Sequence, residues 1–303
     1  AKTLTEEIAP EEKNQAVIDF QKELDQSLSL VLHEHEVEPA AFFELTLIKE
    51  GAKGDDLAVS GGNLIIFDKE KKAIYSLELS KRKSAILTGG EELTGGEQVA
   101  TFLPKIYLLT ERGIFQFDKE TKRQSLVIKT DENWGEIIDF RAFGSNLYLL
   151  DKEARLAETD ESRQGEIWKY PSIEAGFGAY RHWLKGEVDF SDALGMSIDG
   201  SIWVLKADGT ILKFTRGSED PFTISGLDQP LNHPSAIFTD DDQKNLYILD
   251  KGNSRVVVVE KSGEYHAQYL WEGLAEVTAM VASEEEKKIF LLSGDKIFAI
   301  EIR

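Results

Sequence analysis

The sequence predicts an all-β fold, a six-bladed β-propeller that is closed by an N-terminal strand and preceded by an α-helix. An apolar strand recurs six times along the 303 residues, and a second strand follows each copy after a short polar turn. Two strands joined in this way form a β-hairpin. The chain also ends before its sixth unit is complete. Units of short strands that repeat about every 40–45 residues are typical of propeller blades.

The recurring strand carries an aromatic residue at its second position in five of its six copies. The copies are 64–68, 106–110, 147–151, 202–206, 246–250 and 289–293. Their last residues are separated by 42, 41, 55, 44 and 43 positions, which assigns one four-stranded blade to each repeat.

Each copy lies between strands that complete a blade. We expect inner strands at 56–60, 98–102, 137–142, 193–198, 235–239 and 277–282. We expect third strands at 74–77, 114–117, 167–170, 211–214, 256–259 and 297–300. Outer strands are predicted at 84–87, 125–129, 222–225 and 267–271. The connecting turns are rich in Gly, Asn and Asp, which favour tight turns.

The sixth unit lacks an outer strand, because the chain stops at Arg303. Residues 43–48 have the composition of a strand and can supply this missing outer strand. Pairing the two ends of the chain in one blade also removes an open sheet edge. We therefore predict that 43–48 closes the ring. The alternative is an isolated strand on the surface.

The N-terminal region, residues 1–42, is predicted to be a tail and an amphipathic helix, and residues 43–303 form the propeller. The helix is expected from Pro10 to Leu32, with Pro10 in its first turn. Its apolar residues fall three and four positions apart, as Val17, Phe20, Leu24, Leu28 and Val31. This face either packs on the propeller or contacts an upstream domain or partner. The chain begins without Met, so we expect a fragment with a possible upstream domain.

Composition excludes several classes of partner. The formal net charge is −20, which argues against nucleic acid because phosphate binding needs clustered Lys and Arg. No run of 18 apolar residues occurs, so we expect no membrane insertion within this chain. The sequence has no Cys, so a disulfide framework is excluded and the redox compartment stays open.

Blade three departs from the regular pattern in two places. The hairpin turn at 152–165 is long and highly charged, and residues 171–186 form a second irregular segment. Long loops on a rigid scaffold often carry function, and aromatic side chains concentrate binding energy. The predicted binding residues are Trp134, Phe177, Tyr180, His182 and Trp183. The alternative is that these aromatics pack in the core or at the rim.

Carboxylates concentrate where the inner strands begin. Strands alternate in direction, so the 152–165 turn shares a face with the connections that lead into the inner strands. The residues on that face are Asp55, Asp56, Trp134, Glu136, Asp189, Asp192, Asn232, His233 and Glu276. Oxygen ligands on an axis can hold Ca²⁺, and a bound metal can activate water. We predict a metal site at Asp56, Asp192, His233 and Glu276, with Ca²⁺ as the candidate cation; the alternative is an ordinary acidic loop surface.

A second metal reading concerns His33-Glu34-His35-Glu36. Residues two apart share a face of an extended segment and can ligate one ion. A solvated helix end explains the same pattern. Known sequence motifs for a nucleophile elbow, a zincin helix, a phosphate loop or a dinucleotide site do not occur.

The fifth repeat resembles the NHL-type propeller repeat. The resemblance rests on Pro234, on the run 245–250 that ends in Asp250, and on Asn253 and Arg255. It implies that these polar residues organise turns within a blade. The whole propeller is also similar to propeller regions of bacterial membrane-linked proteins, in which the propeller follows a signalling or phosphatase domain. This resemblance is compatible with an extracytoplasmic location, but the compartment stays open.

These observations favour a recognition role. We predict a module that binds a protein or a small-molecule ligand, such as the sensor or interaction domain of a larger protein. The alternative is a metal-dependent, lactonase-like hydrolase with its site at the channel mouth, and a structural spacer is the third reading. Fold alone does not decide among them.

Overall fold

A computed structural model describes residues 15–155 and 163–303. The helix α1 spans Gln15–Val31. The strands in chain order are β1 Glu34–Glu36, β2 Ala41–Glu44, β3 Asp56–Ser60, β4 Asn63–Asp68, β5 Ala73–Glu78, β6 Lys83–Gly89, β7 Gly96–Phe102, β8 Lys105–Thr110, β9 Gly113–Asp118, β10 Gln124–Lys129, β11 Ile137–Phe143, β12 Asn146–Arg155, β13 Arg163–Tyr170, β14 Ser172–Ile173, β15 Gly176–Phe177, β16 Arg181–His182, β17 Ala193–Ile198, β18 Ser201–Lys206, β19 Ile211–Thr215, β20 Ser218–Asp220, β21 Pro234–Phe238, β22 Asn245–Asp250, β23 Arg255–Glu260, β24 Tyr265–Leu270, β25 Ala279–Ser283, β26 Lys288–Ser293 and β27 Lys296–Glu301.

The strands form six antiparallel blades, which confirms the predicted fold class. The blades are β3–β6, β7–β10, β11–β13 with β16, β17–β20, β21–β24, and β25–β27 with β2. Each inner strand contacts the inner strands of both neighbouring blades, so the ring is complete. The apolar second strands are buried on both faces, and the hydrophobic core lies between successive blades.

The predicted closing strand is confirmed, with different bounds. Strand β2 pairs antiparallel with β27, and Phe43 lies opposite Ile297. The strand begins at Ala41 and stops at Glu44 because residues Leu45–Leu47 turn into a 3-10 helix. Leu45 is fully buried there, and its N–H donates to the carbonyl of Asp295. This turn carries the chain from the outer edge of blade six to the axis.

The sequence pattern did not predict the strand β1, nor the short strands β14, β15 and β16 of blade three. Strand β1 adds to the outside of blade five, parallel to β24. It contains most of the His-Glu run proposed as a metal site, whose side chains make other contacts. His33 Nδ1 lies 3.0 Å from the carbonyl of His266, Glu34 Oε2 accepts from Gln268 Nε2, and the His35 ring lies on Tyr269.

Helix α1 keeps much of its apolar surface exposed. Phe20 is 51% and Val31 is 78% exposed, whereas Val17 and Leu24 are half-buried. The predicted first turn, residues 10–14, lies outside the described residues. The predicted boundary between the N-terminal region and the propeller, at residues 42 and 43, stays a prediction. Strand β2, which belongs to the propeller, begins at Ala41.

Blade four has its outer strand earlier than predicted. Strand β20 follows β19 immediately, because Arg216 and Gly217 form a tight turn with φ values of 52° and 84°. The expected strand at 222–225 is instead an irregular segment in which Phe222 packs edge-on against Trp203. In blade three the hairpin β14–β15 precedes a short outer strand, β16.

A buried aspartate is the sixth residue of the second strand in blades one, three and five; it ends β4 and β22, whereas β12 continues to Arg155. Asp68, Asp151 and Asp250 are each 0% exposed. Each accepts a backbone N–H from the connection that enters its own blade, at Lys53, Gly135 and Asn232 respectively. Each also accepts from a side chain of the following strand: Tyr75, Trp168 or Arg255. These bonds compensate the cost of burying the carboxylates.

Asp250→Ala is expected to lower the free energy of unfolding by about 3–5 kcal/mol, because it removes one of the two carboxylates that pair with the buried Arg255 guanidinium, Asp228 being the other, and leaves the Asn232 N–H without its acceptor. Urea unfolding monitored by circular dichroism measures this loss. The control is the exposed Asp241→Ala, which is expected to change stability by about 0.5 kcal/mol or less. Equal effects of the two changes would contradict the structural role of Asp250.

Candidate functional site

The inner strands of all six blades line an axial channel. At the end where these strands begin, here called the mouth, lies a cavity of about 170 Å³ lined by Asp56, Gln98, Asp139 and Arg141 among others. At the opposite end, here called the turn end, lies a cavity of about 290 Å³. The two cavities are the places where a ligand could approach the axis.

The four residues predicted to bind metal occupy different environments. Asp56 lines the mouth, but Asp192 forms an ion pair with Lys206 at 2.8 Å. His233 is exposed, with Nδ1 2.8 Å from the Asn232 side chain, and Glu276 is exposed. In the described ranges, no three of these side chains bring their ligand atoms within 4.8 Å of one another. The metal assignment therefore stays a prediction without a preformed ligand cluster.

A group of three carboxylates does lie at the turn end. Asp240, Asp241 and Asp242 occupy the turn between β21 and β22, and their carboxylate oxygens lie within 4.8 Å of one another. Asp240 Oδ1 accepts bonds from the Asp242 N–H and from Gln243, and burial raises the pKa of Asp240. The sequence signal was the run of three aspartates, which we interpreted only as a turn.

The mouth contains a positive charge that the sequence analysis missed. Arg141 Nη2 lies 3.1 Å from Asp139 Oδ2, and Arg141 Nε donates to the carbonyl of Met196 at 3.0 Å. Asp139 also accepts from the Met196 N–H at 2.6 Å. A guanidinium on the axis repels any cation that enters this cavity. The mouth is therefore less suited to Ca²⁺ than its carboxylates alone indicate.

The other polar residues of the mouth connect neighbouring blades. Asp56 Oδ2 accepts from the Val99 N–H at 2.7 Å, and Gln98 Nε2 donates to the Ile138 carbonyl at 2.7 Å. Burial raises the pKa of Asp56 to about 6. Gln98 Oε1 is buried and has no hydrogen-bond partner within the described ranges. These residues act first as links between blades one, two and three.

Four of the five predicted binding residues pack among other aromatics, since the ring centroid of His182 also lies 5.0 Å from that of Trp168. Trp134 is 8% exposed and donates from Nε1 to the Tyr170 hydroxyl. Phe177 lies edge-on against Tyr107, with ring centroids 5.8 Å apart. Tyr180 lies edge-on against Trp168 at 4.9 Å, and its hydroxyl accepts from Asn133. Trp134 has little surface left for a partner, whereas Phe177 and Tyr180 are half-buried.

His182 and Trp183 line a surface pocket between blades three and four. This blade 3–4 pocket has a volume of about 380 Å³. Its lining includes Phe143, Tyr148, Lys169, Arg181, His182 and Trp183 from blade three. Blade four contributes Arg216. The pocket combines aromatic and basic side chains, a pattern that the sequence analysis did not recognise because its basic residues come from separate strands.

Glu166 orients His182 at the edge of this pocket. The buried Glu166 carboxylate lies 2.8 Å from His182 Nδ1, while the His182 side chain remains 52% exposed. Glu166 also accepts from the N–H of Ile167 at 2.7 Å. The imidazole is therefore fixed in orientation and still accessible to a ligand.

Comparison with known proteins gives the fold but no family. No protein-family model matches the chain, and no curated protein matches it. Among similar solved structures are regucalcin, a calcium-binding protein from Agrobacterium tumefaciens, and a gluconolactonase from Xanthomonas campestris. Regucalcin is 13% identical with a TM-score of 0.59, over 89% of this chain and 95% of its own. The gluconolactonase is 11% identical with a TM-score of 0.58, over 88% of this chain and 96% of its own.

A streptogramin B lyase has a similar fold as well. It is 13% identical with a TM-score of 0.58, over 88% of this chain and 98% of its own. Identities this low support the six-bladed propeller and leave the activity open. No helix in the described ranges is long and apolar enough to cross a membrane.

The raised pKa of Asp56 predicts a pH-dependent stability. Burial raises the pKa of Asp56 from its ordinary value of 3.8 to about 6 in the folded state, so the folded state binds this proton more tightly. The stabilisation is fully present below about pH 4 and is lost as the pH rises through 6. Relative to wild type, Asp56→Asn should therefore gain up to about 3 kcal/mol of unfolding free energy between about pH 4 and pH 7.5.

Urea unfolding at several pH values tests this expectation. Ser235→Ala changes a non-titrating residue of the same cavity and should give an offset that does not depend on pH. A constant difference between Asp56→Asn and wild type would show that Asp56 does not titrate in this range.

Proposed function

We propose that the chain is a recognition module that binds its partner in the blade 3–4 pocket. The observation that carries this proposal is the position of two predicted binding residues, His182 and Trp183, in one accessible cavity. Its volume, about 380 Å³, lies in the usual range of small-ligand sites, which are lined by aromatic groups with a few placed polar groups. The ligand is a small molecule or a side chain presented by a partner protein.

The alternative is a metal-dependent, lactonase-like hydrolase acting at the mouth. One observation favours it: a carboxyl group with a pKa of about 6, that of Asp56, suits proton transfer near neutral pH. Two observations oppose it. The Arg141 guanidinium lies in the same cavity, and the four predicted ligands do not form a cluster in the described parts of the chain. We therefore favour recognition.

An NHL-like repeat and a sensor role belong to the same proposal. Blade five supports the NHL-like repeat, because Asn253 Nδ2 and Arg255 Nε both donate to Asp250 Oδ2 at 2.8 Å. These are the residues on which the resemblance rests, and their bonds organise the turn between β22 and β23. With the lateral pocket as its binding site, such a propeller would act as the ligand-detecting part of a larger protein.

Truncation of Trp183 tests the recognition proposal. Saturation-transfer NMR with phenol, phenyl phosphate and benzylamine should show that at least one of these probes binds wild type. Trp183→Ala should then raise its dissociation constant about tenfold or more, because it removes an aromatic wall of the pocket. Trp271→Ala is the matched control, since this half-buried tryptophan packs against Phe298 in blade six. Binding that survives Trp183→Ala, or no binding of any probe, would contradict the proposal.

Calorimetry separates recognition from hydrolysis. We expect no saturable heat when CaCl₂ or ZnCl₂ is titrated into wild type, and no hydrolysis of gluconolactone above the buffer rate. The hydrolase reading requires the opposite result. It also requires that Asp56→Ala and His233→Ala both abolish metal binding and turnover.

A further inference from the structure

A row of side chains crosses blade three towards the blade 3–4 pocket. Arg141, Tyr148, Lys169 and Arg181 are successive cross-strand partners on β11, β12, β13 and β16. Residues directly opposite each other in a sheet point to the same face. The row therefore projects towards blade four, where Tyr148 packs with Ile198 and Ile202.

Lys169 and Arg181 place two like charges directly opposite each other. Such a pair destabilises a sheet, whereas opposite charges at the same place stabilise it. Blade four shows the contrast, because its corresponding lysine, Lys213, lies opposite Asp220. Within the described ranges, neither Lys169 nor Arg181 forms an ion pair; the Lys169 ammonium lies 5.3 Å from the centroid of the Tyr148 ring.

A third cation reaches the same pocket from blade four. Arg216 lies in the tight turn after β19, with φ near 52°. This turn is fixed against blade three, since Lys185 N–H donates to the Gly217 carbonyl at 2.8 Å. A Cβ added to Gly217 would lie 2.2 Å from the Trp183 carbonyl oxygen, so the approach requires glycine. Arg216 likewise has no ion pair in the described part of the chain.

The pocket therefore concentrates positive charge on a strongly acidic protein. Lys169, Arg181 and Arg216 line it, and the anion beside it, Glu166, is buried and bonded to His182. The formal net charge of the chain is −20, but at physiological salt charges farther away than about 8 Å are largely screened. The local field at the pocket is therefore set by its three cations together with the neighbouring Glu166 carboxylate.

We propose that the blade 3–4 pocket binds a phosphate monoester with a flat, apolar body. The proposal rests on the recognition function and specifies its ligand. Two guanidinium groups and one ammonium match a dianion, and arginine holds phosphate oxygens through paired N–H donors. Phe143 and Trp183 offer apolar surface to the body of the ester. Binding of the dianion also removes the repulsion between Lys169 and Arg181.

Titration calorimetry with phenyl phosphate, inorganic phosphate, phenol and benzylamine tests this ligand class. Phenyl phosphate should bind most tightly, because it alone uses both the cations and the aromatic wall. The double change Lys169→Gln/Arg181→Gln should weaken its binding about tenfold or more. Lys213→Gln, at the corresponding position of blade four, is the matched control and should leave the affinity unchanged.

Arg181→Glu gives an independent readout. It places a carboxylate opposite Lys169, as Asp220 lies opposite Lys213 in blade four. We expect a higher thermal midpoint together with loss of phenyl phosphate binding. Unchanged phenyl phosphate binding in this variant would overturn the proposal.

The source of the phosphate is distinguished by a short phosphotyrosine peptide. Tighter binding of the peptide than of phenyl phosphate would identify a phosphorylated side chain, and weaker or equal binding would identify a free small molecule. Inorganic phosphate that binds as tightly as phenyl phosphate would overturn the monoester assignment. Binding of phenol or benzylamine without phenyl phosphate would overturn the ligand class and leave the recognition function intact. Failure of all probes would overturn both.

Discussion

The structure depends on buried carboxylates that accept hydrogen bonds from the backbone and from a side chain of the following strand. Asp68, Asp151 and Asp250 each occupy the sixth position of a second strand and accept bonds from the segment that enters the same blade. Each therefore fixes two points of the chain that lie 15–18 residues apart. An unsatisfied carboxylate at such a depth would cost several kcal/mol. The bonds thus set where every inner strand of these blades begins, and with it the position of the residues around the axis.

Polar side chains near the axis hold neighbouring blades together. Asp56, Gln98 and Asp139 each bond to the backbone of the next blade, and Ser197 does the same with Thr239. Groups that hold neighbouring blades together are not free to ligate a metal or carry out chemistry, and Arg141 adds a positive charge among them. This explains why the lateral pocket, rather than the mouth, offers unpaired charges to a ligand. A fold similar to that of a gluconolactonase and a streptogramin B lyase does not by itself assign their chemistry to this chain.

The sequence predicts the fold well because each repeat carries a strong local signal. Six apolar strands with regular spacing, and a tail that lacks one strand, are enough to deduce the blades and their closure. Strand β1 was missed because three polar residues of the His-Glu run carry no apolar pattern, and their pairing with β24 is a long-range contact. The outer strand of blade four was misplaced because the turn at Arg216 and Gly217 is short and the apolar run follows later.

The candidate site was only partly predictable for the same reason. Aromatic enrichment in blade three pointed to His182 and Trp183, but it also selected Trp134, whose side chain is buried. The basic residues of the pocket are far apart in sequence, and only the cross-strand register brings Lys169 opposite Arg181. Likewise, carboxylates that share one face of the ring lie at different depths and with different partners, which sequence position alone does not reveal.

The segment before the closing strand has a mechanical consequence. Residues 34–36 pair with the outer strand of blade five, and residues 41–44 pair with blade six. One short stretch of chain therefore connects the outer edges of these two neighbouring blades. Tension applied at the N-terminal helix would reach β1 first and would pull it along β24 in shear. Blade five would carry that load while β2 stayed in place. The pairing of β2 with β27 would thus keep the ring closed while the pairing of β1 with β24 bears the force.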